Sequence, residues 1–574
     1  MKTLLCAVLA LAAGASQAAT LVHNIRGYTV DGEQVQTFVA LEFDDGLVTR
    51  LYRDAAAAEA SGADRRIDGR GATLLPGLID AHGHVSAHGQ ALASVDLVGS
   101  PSEAEAARRV AAFIQANRNA QTNSNAQAKN NAQANSNTQA QQGWIAGRGW
   151  NQVLWPGQAF PTRATLDALS GEHAVVLGRV DGHALWVNSR ALALAGITAA
   201  TEDPAGGQIV RDATGQPTGV LIDNAMDLVA AVMPKPDVAT LADLQHRALV
   251  DLARYGLTGV HDAGIAAREV AAYQQLLAQG RLPIRVYAML DARDPDNDRY
   301  LAQGPMIDER HRLDIRSVKL SADGALGSRG AALVDDYSDD AGNRGLLLHS
   351  REALAHHMHR AVAAGYQVNT HAIGDRANAL VLDLLETINS NPDSAALRHR
   401  VEHAQILRPQ DIARFPALNV IASVQPVHAT SDKNMAGDRL GEARLHGAYA
   451  WESLLESGAR MAGGSDFPVE SPNPFHGLYA AVTRQDTAGH PPGGWLPNEK
   501  MNRAAALALF TGGAAYAAHQ ETVLGRLQPG YYADFILVDG DYFNLPEARL
   551  WQLSVKATYV AGEQVYPAGS RNDR

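Results

Sequence analysis

Four histidines, one lysine and one aspartate, spread from position 82 to position 466, are the residues of this chain best suited to chemistry. Two of them form His82-Gly83-His84, which ends the apolar run Pro76-Gly77-Leu78-Ile79-Asp80-Ala81. Alternate side chains of an extended strand share a face, so both imidazoles point the same way and can meet one metal ion. Lys319 lies in Ser317-Val318-Lys319-Leu320-Ser321-Ala322-Asp323-Gly324 and His371 in Asn369-Thr370-His371-Ala372-Ile373-Gly374-Asp375. His403 lies in Val401-Glu402-His403-Ala404, and Asp466 in Gly463-Gly464-Ser465-Asp466-Phe467-Pro468. A lone His-x-His is weak, since such pairs are ordinary in polar loops; its weight depends on where the other residues fall.

Their positions follow from the elements around them. Eight short apolar runs read as buried strands: Thr73–Asp80, Gly256–His261, Ile284–Leu290, Ile315–Ser321, Gln367–Thr370, His399–Glu402, Val420–Val424 and Arg460–Gly464. Helical periodicity falls between them, at Leu241–Tyr255, Val270–Gln279, Arg351–Ala364 and Ala377–Ile388. Buried strands alternating with helices imply a parallel sheet, and eight such units imply a closed (β/α)₈ TIM barrel. The third and seventh strands carry no motif. The six candidate residues fall at the carboxyl ends of the first, fourth, fifth, sixth and eighth strands, the face on which such barrels build their sites.

About 175 residues separate the first two strands, far more than a crossover needs. An inserted subdomain over about 90–240 is expected there. Within it, Gln115 to Gln142 is almost wholly Asn, Gln, Ala and Ser, with no apolar face, and reads as solvated loop or frayed helix. Short strand-like runs recur at both termini (Leu21 to Ile25, Thr37 to Phe43 and Leu47 to Leu51; Ala533 to Asp539 and Val555 to Val560). Neither set has apolar surface for its own core, so one small β-sandwich domain built from 19–75 and 505–574 is expected, flanking a barrel at 76–504.

Bulk properties narrow the class. With 574 residues, 46% hydrophobic and 19% charged, the chain reads as a globular enzyme of two or three domains. A net charge of −12 without basic clusters argues against nucleic-acid binding. Residues 1–18 have the form of a secretory signal: Lys2, the apolar stretch Leu4 to Ala13, and Ser16-Gln17-Ala18 as cleavage site. The stretch is too short for a permanent membrane span. An exported, periplasmic or secreted protein is expected. Its only cysteine, Cys6, lies in that leader, so any metal must be held by nitrogen and oxygen.

Taken together, His82-Gly83-His84, Asp323-Gly324-Ala325-Leu326-Gly327-Ser328-Arg329, His371-Ala372-Ile373-Gly374-Asp375 and Gly464-Ser465-Asp466 resemble the amidohydrolase superfamily. The likeness is to the amidohydrolase-3 branch, which includes N-substituted formamide deformylases, and it covers essentially the whole mature chain. It implies that His82, His84 and Asp466 bind one divalent ion and that His371 and His403 bind a second. It also implies that Lys319 carries a CO₂-derived carbamate bridging the two. One or two Zn²⁺ suit these ligands; manganese, iron or nickel would also fit. The ions would activate water and polarise a carbonyl, with Asp466 as the catalytic base and then acid. An ordinary ion pair between Lys319 and Asp323 is the competing expectation.

Trp150 in Gly147-Arg148-Gly149-Trp150-Asn151 and His183 in Asp181-Gly182-His183-Ala184-Leu185-Trp186 resemble pocket motifs of that family. Both are candidates for substrate contact or for packing the insertion on the barrel. Arg329 and Tyr337 reach either the substrate or only their own loop. Asp80 and Asp375 are candidates to orient ligating imidazoles, while His356, His357 and His359 read as solvated. The expected activity is hydrolysis of non-peptide carbon–nitrogen bonds in a small molecule of the N-acyl or N-formyl amine type. Lactone or ester hydrolysis at the same site is the alternative, as is a catalytically silent periplasmic solute-binding protein. Homodimers are common among proteins of this kind and are among the expected assemblies.

Overall fold

Nine residues in a row with only one exposed to any degree, as in Leu257–Ile265, can belong only to a strand covered on both faces. The computed structural model describes residues 19–127 and 143–568. The signal-like segment 1–18 lies outside them, as does 128–142 of the Asn/Gln-rich stretch. Eight parallel strands form one sheet in chain order: β1 (Leu78–Gly83), β2 (Leu257–Ile265), β3 (Arg285–Asp291), β4 (Leu313–Ser321), β5 (Gln367–Ala372), β6 (Arg400–His403), β7 (Ile421–Val424) and β8 (Met461–Gly463). Eight strands were expected and eight form, but the first begins at Leu78, since residues 73–76 end a strand of another sheet.

Closure between β1 and β8 occurs just past their ends. The Asp466 N–H donates to the His82 carbonyl and the His84 N–H to the Phe467 carbonyl, both at 2.7 Å. Gly83 permits this approach, since a Cβ there would lie 2.3 Å from the Phe467 ring. The sheet is thus a nearly closed barrel, with its first and last strands pinned at the rim.

The four expected helices form at Val238–Ala253, Ala267–Ala278, Arg351–Ala363 and Asp375–Asn389. The first starts where Asp237 accepts a bond from the Thr240 N–H, and it buries Leu241, Leu244, Leu249 and Leu252 along one stripe. Helical turns at Arg503–Ala508 and Ala514–Ala517 also join the barrel layer. Ala514, Ala515 and Ala517 bury against Ile79, Ala81, Ile421 and Ala462. Position 505, expected to open the carboxyl-terminal β-segment, therefore falls inside a helix; the alanine face is small enough to sit directly on β1, β7 and β8.

Between β1 and β2 a six-stranded sheet runs from Val95–Asp96 to Pro217–Asp223, with Trp150, Trp155 and Trp186 in its core. The helix Glu103–Gln127 carries the start of the Asn/Gln-rich stretch. Both termini contribute to one eight-stranded sheet, in which Arg65–Pro76 pairs antiparallel with Phe535–Val538. It curls until the edge strand Leu47–Tyr52 meets Tyr531, whose carbonyl accepts from the Val48 N–H at 2.8 Å. Topologically this is a single sheet where two facing sheets were expected. Only Gly77 separates it from β1. A buried pair, Arg285 Nε to Asp534 Oδ2 at 2.7 Å, ties it to β3. Among the described residues no helix is long and apolar enough to cross a membrane.

Candidate metal centre and pocket

Three of the four candidate imidazoles, those of His82, His84 and His403, are held at Nδ1 so that Nε2 is left for the barrel mouth. His82 Nδ1 lies 2.5 Å from Glu402 Oε2, both side chains fully buried. His84 Nδ1 meets the Ala263 carbonyl at 2.9 Å and His403 Nδ1 meets Gln425 Oε1 at 2.7 Å. The free Nε2 of His82 is 3.3 Å from Lys319 Nζ and 3.6 Å from Asp466 Oδ1, and His84 Nε2 is 3.0 Å from that same oxygen. Asp466 Oδ1 is buried and accepts no well-aligned hydrogen bond. His82, His403 and Asp466 each place a ligand atom within 4.8 Å of the others. His371 stands beside them, its ring 4.5 Å from His403, with Nε2 buried and unbonded 3.4 Å from Asp323 Oδ1. All six candidate residues meet at one rim.

Protonation suits a cation. Burial alone would raise the Asp466 carboxyl, but His84, His82 and His403 outweigh it and hold the group well below the aspartate range. Burial, reinforced by Lys319, takes His82 down to about 4. Burial also drives His403 well below its ordinary value. Neutral imidazoles and an ionised carboxylate are the forms that ligate. Burial lowers the Lys319 ammonium against the pull of Glu402 and Asp466. His403 and Asp466 also hold left-handed backbones, φ 76° and 59°, at a cost of about 1–3 kcal/mol each.

Other residues have different duties. Asp323 accepts the N–H groups of Ala332, Ile373 and Gly374 at 2.8–2.9 Å, and no ion pair joins it to Lys319 among the described residues. Asp80 accepts from the backbone of His82 and from both the N–H and hydroxyl of Ser465, so it locks β1 to β8 instead of orienting a ring. Burial raises its carboxyl to about 7. Asp375 accepts the Val334 N–H, and the Tyr337 hydroxyl donates to the Ala331 carbonyl. His356 and His359 are exposed.

A cavity of about 220 Å³ opens above the rim, lined by the barrel mouth and the inserted segment. His183 lines it, with Nδ1 2.7 Å from Asp223 Oδ1 and its ring 5.2 Å from His371. Burial would lower its pKa, but the bond and charge of Asp223 raise it to about 9. Asp223 Oδ2 would lie 2.5 Å and 2.4 Å from a Cβ at Gly324 and Gly330, which accounts for two glycines of the loop after β4. Trp150 does not reach the cavity: its indole N–H donates to the Leu177 carbonyl and it packs against Trp155 and Trp186. Arg329 pairs with Asp339 at 3.0 and 3.2 Å, away from the cavity lining. Sequence reasoning missed Glu402, Gln425 and Asp223, and also His428, which stacks on His403 at 5.9 Å. The available signal was Gln425-Pro426-Val427-His428, polar residues directly after β7, a strand without a recognised motif.

Comparison with known proteins gives a consistent result. The amidohydrolase family model matches residues 65–566. The putative amidohydrolase YtcJ of Bacillus subtilis is 32% identical over 536 residues, covering 92% of this chain and 96% of its own. The N-substituted formamide deformylase of Arthrobacter pascens is 27% identical, covering 89% and 90%. An uncharacterized metal-dependent hydrolase of Pyrococcus horikoshii OT3 superposes with a TM-score of 0.71 at 26% identity, covering 92% of this chain and 99% of that one.

Proposed function

We propose, because this chain belongs to the amidohydrolase family, that it hydrolyses a non-peptide carbon–nitrogen bond in an N-acyl or N-formyl amine. It is an enzyme, a metal-dependent hydrolase of that superfamily. The observation that carries the metal-dependent chemistry is the meeting of His82, His403 and Asp466 within 4.8 Å, with His84 and Lys319 alongside. The likeness to an N-substituted formamide deformylase supports the bond type.

The donor set fits one or two divalent ions, zinc by ligand type: neutral imidazoles, an ionised carboxylate, and buried Asp466 Oδ1 and His371 Nε2 without hydrogen bonds. His82, His84 and Asp466 would hold one ion; His403 and His371 extend the set to a second. Such an ion supplies Lewis acidity, making water acidic and a carbonyl electrophilic. Asp466 accepts the proton of the attacking water and returns it to the departing nitrogen. Lys319, its ammonium disfavoured by burial and unpaired with any carboxylate within 4.0 Å among the described residues, carries the carbamate. There its neutral nitrogen bonds to the carbon of CO₂ and releases a proton, leaving an anion. His183, fixed by Asp223, faces the substrate carbonyl or leaving group from above. The protein acts on a small molecule after export, the leader-like residues 1–18 supporting that location, and a homodimer is among its expected assemblies.

Purified protein assayed on matched N-acyl amines and esters, with and without added divalent metal, tests this reading. Turnover of the amide that disappears on chelation and returns with zinc or manganese is expected. Hydrolysis of esters alone, or tight solute binding without turnover in metal-replete protein, would overturn it.

A further inference from the structure

Two carboxylates on the cavity wall are joined to no lysine or arginine by an ion pair among the described residues. Asp432 ends the helix Pro426–Asp432 that follows β7, and Glu470 lies in the turn after β8; both line the cavity. Asp432 Oδ2 accepts from the Tyr449 hydroxyl at 2.7 Å and Gln405 Nε2 at 3.0 Å, while its Oδ1 receives no donor. Glu470 Oε1 accepts from Ser431 Oγ at 2.6 Å, while its Oε2 receives none. Among the described residues neither forms an ion pair with lysine or arginine. The nearby cations bond elsewhere: Lys433 to Asp486, Arg439 to Asp339, Arg179 to Asp181, Gln152 and Asn151, and Arg148, which feels the Glu470 charge, to the Pro468 and Val180 carbonyls.

A third side chain points to a ligand independently. His428 is four residues before Asp432 on the same helix and so on the same face. It is 8% exposed, lines the cavity, and its buried Nε2 has no hydrogen-bond partner, coming only to 3.8 Å from Asp466 Oδ2. Burial raises both carboxyls; the neighbouring His428 and their hydroxyl donors work against it, while Asp432 and Asp466 raise that of Glu470 further. Repulsion of this kind inside a cavity is relieved by a cation that brings its own N–H donors. The approach is apolar: Val98 and Leu154, 55% and 54% exposed, line the same cavity with Val469 and Leu326.

We infer that the substrate is a cationic amide: one carrying a protonated amino or guanidino group, separated from the scissile bond by a short apolar tether, which docks on Asp432 and Glu470. This deepens the hydrolase reading and rests on it for the reaction, though not for the binding.

The test uses full-length, metal-replete protein and N-acetyl-α,ω-diamines with two to six methylenes, each against the neutral N-alkylacetamide of equal length. At least one spacing should give a kcat/KM about 10-fold or more above its neutral counterpart. In D432N/E470Q that ratio should fall to near unity, with each single variant intermediate. Melting temperature and metal content confirm that the variants remain folded. Calorimetric binding of n-hexylammonium against hexan-1-ol gives a readout without turnover, and the preference for the ammonium should vanish in the double variant. Amide hydrolysis with no cation preference at any spacing and no ammonium binding would overturn the inference while leaving the hydrolase intact. Ammonium binding that needs Asp432 and Glu470, with no amide cleaved, would support the cation-docking site and overturn the amide-hydrolysis reading on which the substrate assignment rests.

Discussion

The barrel rim and the inserted segment face the same cavity, but they dispose of their polar groups in opposite ways. At the rim, three imidazoles are fixed at Nδ1 by a buried acceptor with Nε2 turned to the mouth, and Asp466 keeps an oxygen without a well-aligned hydrogen bond. On the inserted segment most groups bond to one another: Arg179 to Asp181, Gln152 and Asn151, and His183 to Asp223, whose second oxygen alone of these is buried without a partner. Leaving buried donors and acceptors open costs about 1–3 kcal/mol apiece, so a rim built this way is built to receive something. The segment above it is built to hold one imidazole still.

Breaking the rim should cost most. Asp466→Ala removes the proposed ligand and proton carrier together, and kcat/KM for any substrate should fall by about 10⁴, with metal content falling in parallel. Breaking the inserted wall should cost less and leave metal content alone. His183→Ala is expected to lower kcat by roughly 10²-fold, and Asp223→Asn by roughly 10-fold, since the ring remains but loses its fixed orientation. Steady-state kinetics with elemental analysis of the same samples separates the two patterns.

The partner that fixes a rim imidazole can be weakened without touching the donor set. Glu402→Gln should weaken divalent-metal affinity by about 10–100-fold in a chelator competition, because His82 loses the carboxylate that sets its tautomer. Unchanged affinity would mean that Glu402 only fills the barrel.

Far from either region, Asp541 gives the smallest effect. Partial burial pushes its carboxyl up, but bonds from Asn544, Arg26 and Tyr28 outweigh this and hold it below the aspartate range. A depressed carboxyl stabilises the fold at pH values above its unfolded pKa of about 3.9, and that stability is lost as pH falls through the folded value. Asp541→Asn should therefore lower the melting temperature by a few degrees at neutral pH, and the difference should close toward pH 3.

Much of this arrangement is legible in the chain because it depends on period and on strand ends. The eight strands announce themselves as short apolar runs, and the six rim residues follow from one rule about barrel faces. Residues chosen by tertiary approach are not legible. Glu402 and His403 are adjacent, so strand alternation would send them to opposite faces; the left-handed backbone at His403 and Ala404 breaks that alternation and lets both serve the rim. Asp223 is recognisable only through the glycines around it, Gly324 and Gly330, more than a hundred positions further along the chain. Trp150 looks like a pocket aromatic in sequence, but an indole with an apolar body and one donor satisfies a sheet core equally well, and the Leu177 carbonyl takes its N–H. Arg329 has a carboxylate ten residues away and uses it.

The most direct test of a metal-holding rim is an anomalous-difference map from crystals grown without chelator, collected at the absorption edge of the metal found by elemental analysis. A peak within about 2.0–2.3 Å of His82 Nε2, Asp466 and a further imidazole, with carboxyl density continuing from Lys319 Nζ, is the predicted result. A metal-replete protein whose anomalous peak lies elsewhere, with these side chains bonded only to each other, would contradict the account.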